Sequence, residues 1–231
     1  MDLPIIELRN YLIKPAQRDH FIDYFEEHFI ASQQALNMFV LGQFRVIGQP
    51  DHFVWFRGFS DMATRLAGLQ NFYSGPVWQK YRRRANEMIL DSDHVHLFHQ
   101  LDKPADLTGG RTVDQVLAEL QEGTISPETG VVAVYFFQTS PDLVSSVSKQ
   151  LVESYQIAGI HVRGCLASEL SENDYPRLPV IQTPGKFVII SVYEDKMHFL
   201  ERGAPSIPST VTPEPHHSLL LAPTLRSPLR W

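Results

Sequence analysis

An α+β fold is predicted, with two tandem ferredoxin-like β-α-β-β-α-β units closing a barrel-type architecture within one chain. Three observations carry this. Apolar alternation marks strand-like stretches separated by amphipathic helices in the order β-α-β-β-α-β over residues 5–99. The same order recurs after residue 130, with Pro15 and Pro141, and Val54 and Val188, in matching places. In residues 131–137, Val131, Ala133, Tyr135 and Phe137 alternate with Val132, Val134 and Phe136, so both faces are apolar and both are expected to be buried. Helices cover one face of a ferredoxin-like sheet, and a second unit supplies the cover for the other.

In residues 5–12, Ile6, Leu8 and Leu12 alternate with Glu7, Arg9 and Tyr11, the pattern of a strand. Lys14-Pro15 is expected to open a helix, with Phe21, Phe25 and Phe29 on its buried stripe and Asp19, Asp23 and Glu26 opposite. A second strand spans 38–47, a turn 48–51 and a third, aromatic strand 53–59. Helices are expected at 61–69 and 77–89, broken at Ser74-Gly75-Pro76, before a fourth strand at 95–99. Thr112 and Gln115 have capping-box spacing and open a short helix. In the second copy, strands are expected at 131–138, 161–170, 186–194 and 218–222. A helix follows Ser140-Pro141, with Val144, Val147, Leu151 and Tyr155 in one stripe, and a shorter helical turn spans 196–201. The division is 1–101 for the first domain, 102–129 for a linker with a short helix and 130–231 for the degenerate repeat.

Composition narrows the function. At 231 residues, 43% hydrophobic and 20% charged, the chain can bury a sizeable core. A formal net charge of −6 argues against a nucleic-acid binder, which needs a basic face. No apolar run is long enough to span a membrane, and no basic-then-apolar N-terminus suggests a secretory signal. The one cysteine, Cys165, gives no internal disulfide and fits a reducing, cytoplasmic setting.

Ile6-Glu7-Leu8-Arg9-Asn10-Tyr11 followed by Lys14-Pro15 resembles the opening of NIPSNAP-family domains. Trp55-Phe56-Arg57-Gly58-Phe59-Ser60-Asp61-Met62 and Phe72-Tyr73-Ser74-Gly75-Pro76-Val77-Trp78 extend the resemblance, as do Arg83, Ala85-Asn86 and Asp91-Ser92-Asp93. The ending Leu221-Ala222-Pro223-Thr224-Leu225-Arg226-Ser227 is similar to that of long, two-domain bacterial members. The resemblance is fullest over residues 5–100. It implies the dimeric α/β-barrel fold, whose superfamily includes cofactor-free monooxygenases, isomerases and haem enzymes. It brings no agreed catalytic residues.

Alternation also suggests a site. With Ile6, Leu8, Val54 and Phe56 turned to the helices, Glu7, Arg9, Tyr11, Trp55, Arg57 and Phe59 are expected to face the barrel interior. Ala133, Tyr135, Phe137, Phe187, Ile189, Ser191 and Tyr193 would face it from the other half. Such a pocket suits a small, mostly apolar ligand with an anionic or carbonyl end held by Arg9 and Arg57. Tyr11, or Glu7 if burial raises its pKa, is the candidate for proton transfer. This reading needs no bound cofactor. In the structural alternative, Glu7, Arg9 and Arg57 form an internal ion-pair cluster. Two other function classes stand beside it: a non-catalytic interaction or scaffold protein, and a metal or haem protein using His94 and His96. The spacing of the latter pair, even with His216 and His217, falls short of a closed ligand set. A further homodimer is compatible with a barrel completed within the chain.

Overall fold

Eight strands close into one antiparallel barrel. The computed structural model describes residues 2–101, 107–125, 130–202 and 217–231. The first repeat runs β1 (Ile5–Ile13), α1 (Arg18–His28), α2 (Ile30–Gln34), β2 (Phe39–Val46), β3 (His52–Phe59), α3 (Met62–Ser74), α4 (Pro76–Met88) and β4 (Ile89–Gln100). After α5 (Val113–Gln121), the second runs β5 (Val131–Gln138), α6 (Val144–Ile157), β6 (His161–Ser168), β7 (Lys186–Tyr193), α7 (Lys196–Arg202) and β8 (His217–Pro223). The strand order β1-β3-β2-β8-β5-β7-β6-β4 closes through β4 onto β1. Each repeat therefore contributes four adjacent strands in equivalent order, and β2–β8 and β4–β6 are the seams. The barrel closes without a second copy of the chain.

Local chemistry sets the element ends. The Asp61 carboxylate accepts from the Thr64 N–H at 2.6 Å and caps α3. Pro76 sits in the first turn of α4, where its missing N–H costs nothing. The Thr112–Gln115 capping box forms with both of its hydrogen bonds. Among the boundaries that differ from the sequence expectation, α3 runs on to Ser74 and two others have local causes. Lys14-Pro15 lies in a turn that passes through Ala16 at φ 61°, and α1 begins only at Arg18. Strand β4 begins at Ile89, directly after α4: Ile89 and Asp91 pair with Ile13 and Leu12 across register shifts, so this part of the strand carries no apolar alternation. Part of the expected linker, 102–106 and 126–129, lies outside the described residues.

The orientation of the sheet is the reverse of the one expected. Ile6, Leu8, Val54 and Phe56 pack with Phe44, Phe98, Val134, Phe136, Ile190 and Leu221 in a single cluster drawn from every strand, and only the barrel interior can bring these together. An eight-stranded barrel is just wide enough to be filled by side chains, so the more apolar phase goes inside. The mixed phase, Glu7, Arg9, Tyr11, Trp55, Arg57 and Phe59, faces the helices. The C-terminal residues help fill one end: Leu229 is fully buried in the interior cluster, and its N–H donates to the Leu41 carbonyl at 3.0 Å. Gly42 makes room there, since a Cβ would lie 2.6 Å from the Phe44 ring and 3.0 Å from Leu229 Cβ.

Candidate functional site

The register of β1 on β3 builds the site. Glu7 lies opposite Arg57 and Arg9 opposite Trp55, so acid, bases and indole share the helix-facing surface. Glu7 and Arg65 are fully inaccessible, and Arg9 and Arg57 are 1% exposed. Glu7 Oε2 accepts from Arg57 Nε at 2.7 Å and from Arg9 Nη1 at 3.1 Å, while Oε1 accepts from Arg65 Nε at 2.7 Å. Arg57 Nη1 donates to Gln33 Oε1 at 2.9 Å, and Arg9 Nε donates to the Tyr11 hydroxyl at 2.9 Å. Arg65 Nη1 donates to Asp174 Oδ1 at 2.5 Å.

Burial alone would raise the Glu7 pKa. The Arg57, Arg65 and Arg9 guanidinium groups outweigh it and hold the carboxyl well below the usual carboxylate range. Glu7 is thus a carboxylate shared by three guanidinium groups, and the direction of its shift is opposite to the raised pKa that a proton-transfer role was expected to need. The Trp55 ring carries Arg9 Cζ at 5.7 Å and Arg57 Cζ at 5.2 Å from its centroid. Phe59 backs the Arg57 guanidinium at 5.5 Å.

A cavity of about 130 Å³ opens in front of these groups. Arg9, Tyr11, Trp55 and Arg57 form its floor, Phe25, Phe29 and Gln33 one wall, and Phe72, Tyr73 and Trp78 another. Four of the residues expected from the sequence therefore do line one cavity, between the sheet and the helices and not inside the barrel. Tyr135, Phe137 and Tyr193 do not join them. They belong to a separate layer between the second repeat's strands and α6, on the opposite wall of the barrel. Superposing the repeats by register, Val131↔Tyr193 on Ile5↔Phe59, puts Ala133 at the position of Glu7, Tyr135 at Arg9 and Ser191 at Arg57. Among the described residues the second repeat has no copy of the charged cluster. A further cavity of about 250 Å³ is lined by Leu3, Gln100 and Arg111 among others.

Arg65, Gln33, Tyr73 and Asp174 were not singled out from the sequence. Arg65 carried a signal: it shares the 65, 68, 69, 72 buried stripe of α3 with Gly68, Leu69 and Phe72, an arginine on an otherwise apolar face. His94 and His96 lie with ring centroids 5.0 Å apart, and His96 also packs on Phe98 and Phe136. No group of three or more His, Cys, Asp or Glu able to hold a metal ion occurs among the described residues. His216 and the His217 side chain lie outside them. No helix among the described residues is long and apolar enough to cross a membrane.

Residues 6–98 match the family model described as NIPSNAP. No curated protein matches the chain. Among solved structures, a presumptive monooxygenase from Lactobacillus acidophilus NCFM aligns with a TM-score of 0.58 at 10% identity, covering 96% of this chain and 94% of that one. That likeness is one of fold. An uncharacterized NIPSNAP-like domain protein from Burkholderia xenovorans is 24% identical over 42% of this chain and 84% of its own, with a TM-score of 0.38. A NIPSNAP family protein from Agrobacterium tumefaciens strain C58 is 21% identical over 42% and 93%, with a TM-score of 0.40.

Proposed function

We propose, from the premise that residues 6–98 belong to the NIPSNAP family, that the protein binds a small, mostly apolar anion between the sheet and the helices of its first repeat. One observation carries this reading. Three buried guanidinium groups, Arg9, Arg57 and Arg65, face two carboxylates, Glu7 and Asp174, so among the described residues the cluster holds one uncompensated positive charge beside an aromatic cavity. A buried charge without a counter-ion is costly, and a ligand carboxylate or enolate supplies one. Arg9 is the natural anchor. Its Nε and Nη1 are engaged by Tyr11 and Glu7, and the guanidinium lines the cavity. The size of the cavity sets the ligand's body: an engineered protein cavity of about 150 Å³ binds benzene, so one ring fits here.

If the chain is an enzyme, Tyr11 is the proton-bearing group beside the anchor, and a monooxygenase- or isomerase-type reaction without a resident cofactor is the class to assay. The filled barrel interior is what an interaction or scaffold protein would also show. The charged cavity is what that alternative leaves without a purpose.

Titration of the protein with benzoate and with its neutral relative benzyl alcohol, followed by calorimetry, tests the reading. Benzoate is expected to bind with one site per chain, since the second repeat lacks the cluster. It should bind roughly tenfold or more tighter than the alcohol, the usual worth of a charged hydrogen bond. Because guanidinium groups do not titrate, affinity should stay flat between about pH 6 and 9. Equal affinity for the two compounds, or two equal sites per chain, would count against the proposal.

A further inference from the structure

The connection between β6 and β7 belongs to the second repeat by sequence and to the first by contact. Its counterpart in the first repeat, residues 47–51, is a tight turn, whereas this one occupies residues 169–185. A connection of that length is seldom needed to join neighbouring strands and is usually functional. Its course is held at three places. Gln182 Nε2 donates to the Glu169 and Ser171 carbonyls at 2.7 and 2.6 Å, closing its base. The Ile181 N–H donates to the Val95 carbonyl at 2.6 Å, laying the segment along β4 of the first repeat. At its tip Arg65 grips Asp174 at 2.5 Å and Asn173 Oδ1 at 3.3 Å.

Between these anchors the segment reaches the site. Tyr175 is 9% exposed and stacks on Tyr73, a cavity-wall residue, with centroids 5.9 Å apart and planes 16° from parallel. Leu178 lines the cavity itself. Its carbonyl accepts from Asn173 Nδ2 at 2.9 Å and its N–H donates to the Tyr175 carbonyl at 3.0 Å, so the turn that presents it is internally braced. Arg65 joins the two parts: one of its nitrogens holds Glu7 under the cavity floor and another holds Asp174 in the β6–β7 connection.

We infer that residues 173–178 of the second repeat are the specificity-determining wall of the first repeat's pocket, with Leu178 setting the length of ring the cavity accepts and Arg65–Asp174 fixing its position. The inference rests on the binding reading given above. It assigns the second repeat a role beyond closing the barrel, since the repeat that lacks the charged cluster supplies the wall of the one that has it.

The test compares benzoate and 4-ethylbenzoate on the wild-type chain, on Leu178→Ala and on Asp174→Ala. Leu178 is only partly buried, at the edge of its cluster, so its truncation should leave the fold intact. Trimming it should move the affinity ratio towards 4-ethylbenzoate by roughly tenfold, the scale on which an apolar pocket discriminates an added methylene. Asp174→Ala should blur the discrimination between the two ligands, because the wall is no longer fixed, and quicken hydrogen exchange at the Leu178 and Ile181 amides. If the wild-type chain binds benzoate but Leu178→Ala leaves the ratio unchanged, the wall assignment is overturned while the binding site stands. Unaltered exchange in Asp174→Ala would overturn the fixing role of the ion pair. If the wild-type chain binds neither acid, the binding reading fails, and this inference fails with it.

Discussion

Replacing Glu7 by glutamine is expected to lower the stability of the protein by about 3–5 kcal/mol, the cost of leaving a buried charge without its partner. Glutamine keeps the shape of the side chain and one acceptor oxygen but not the charge. Arg9, Arg57 and Arg65 would then stand in a closed environment with only Asp174, itself at the edge, as counter-ion. The measurement is denaturant unfolding, read as a fall in midpoint at unchanged slope. A loss well under about 1 kcal/mol would be the behaviour of a solvated surface pair, and would mean that water enters the cluster freely. The pH dependence has a definite sign. The folded-state pKa of Glu7 is depressed, so its stabilisation is complete above the unfolded carboxyl value, about 4.3, and declines as pH falls below it. Glu7→Gln lacks that contribution, and its stability should converge with that of the wild-type chain on acidification below about pH 5.

Arg9→Met should largely spare stability and remove binding. Methionine keeps an apolar stem between Tyr11 and Trp55 and removes one cation, leaving two guanidinium groups against two carboxylates. The uncompensated charge disappears, and only the hydrogen bonds to Tyr11 and Glu7 are lost, so stability should change much less than in Glu7→Gln, by about 1 kcal/mol. Benzoate affinity should fall at least about 30-fold, because a desolvated ligand carboxylate would lose its charged partner. A structural ion-pair cluster with no ligand would give the reverse: Arg9→Met would be destabilising and would have no binding phenotype.

Much of this architecture was written in the sequence. Period-two alternation and the recurrence of Pro15 at Pro141 marked the two units, and the doubly apolar stretch from Val131 to Phe137 announced a strand covered on both sides. Alternation could separate Glu7, Arg9 and Tyr11 from Ile6 and Leu8. It could not say which set faces the barrel interior, because both faces of these strands are buried. Packing decides it. The closed barrel is filled mainly by apolar side chains, with His96 packed on Phe98 and Phe136 among them, while the helix layer brings Gln33 and Arg65 to satisfy Glu7 and Arg57 and offers Phe25, Phe29 and Trp78 to the aromatic floor. Contacts between distant segments were not legible either. Asp174 follows Arg65 by more than a hundred positions, and no local pattern marks it as that arginine's counter-ion. The Tyr135 layer was misplaced for a related reason: repeat symmetry relates its position to Arg9 but puts the two on opposite walls.

The most direct measurement is a crystal structure of the protein soaked to saturation with benzoate. The expected result is one molecule per chain, its carboxylate within hydrogen-bond distance of Arg9 and its ring against Phe29, Phe72 and Trp78. Benzoate among Leu8, Phe56 and Val134 inside the barrel, or an empty cavity at saturating ligand, would contradict the assignment of the site.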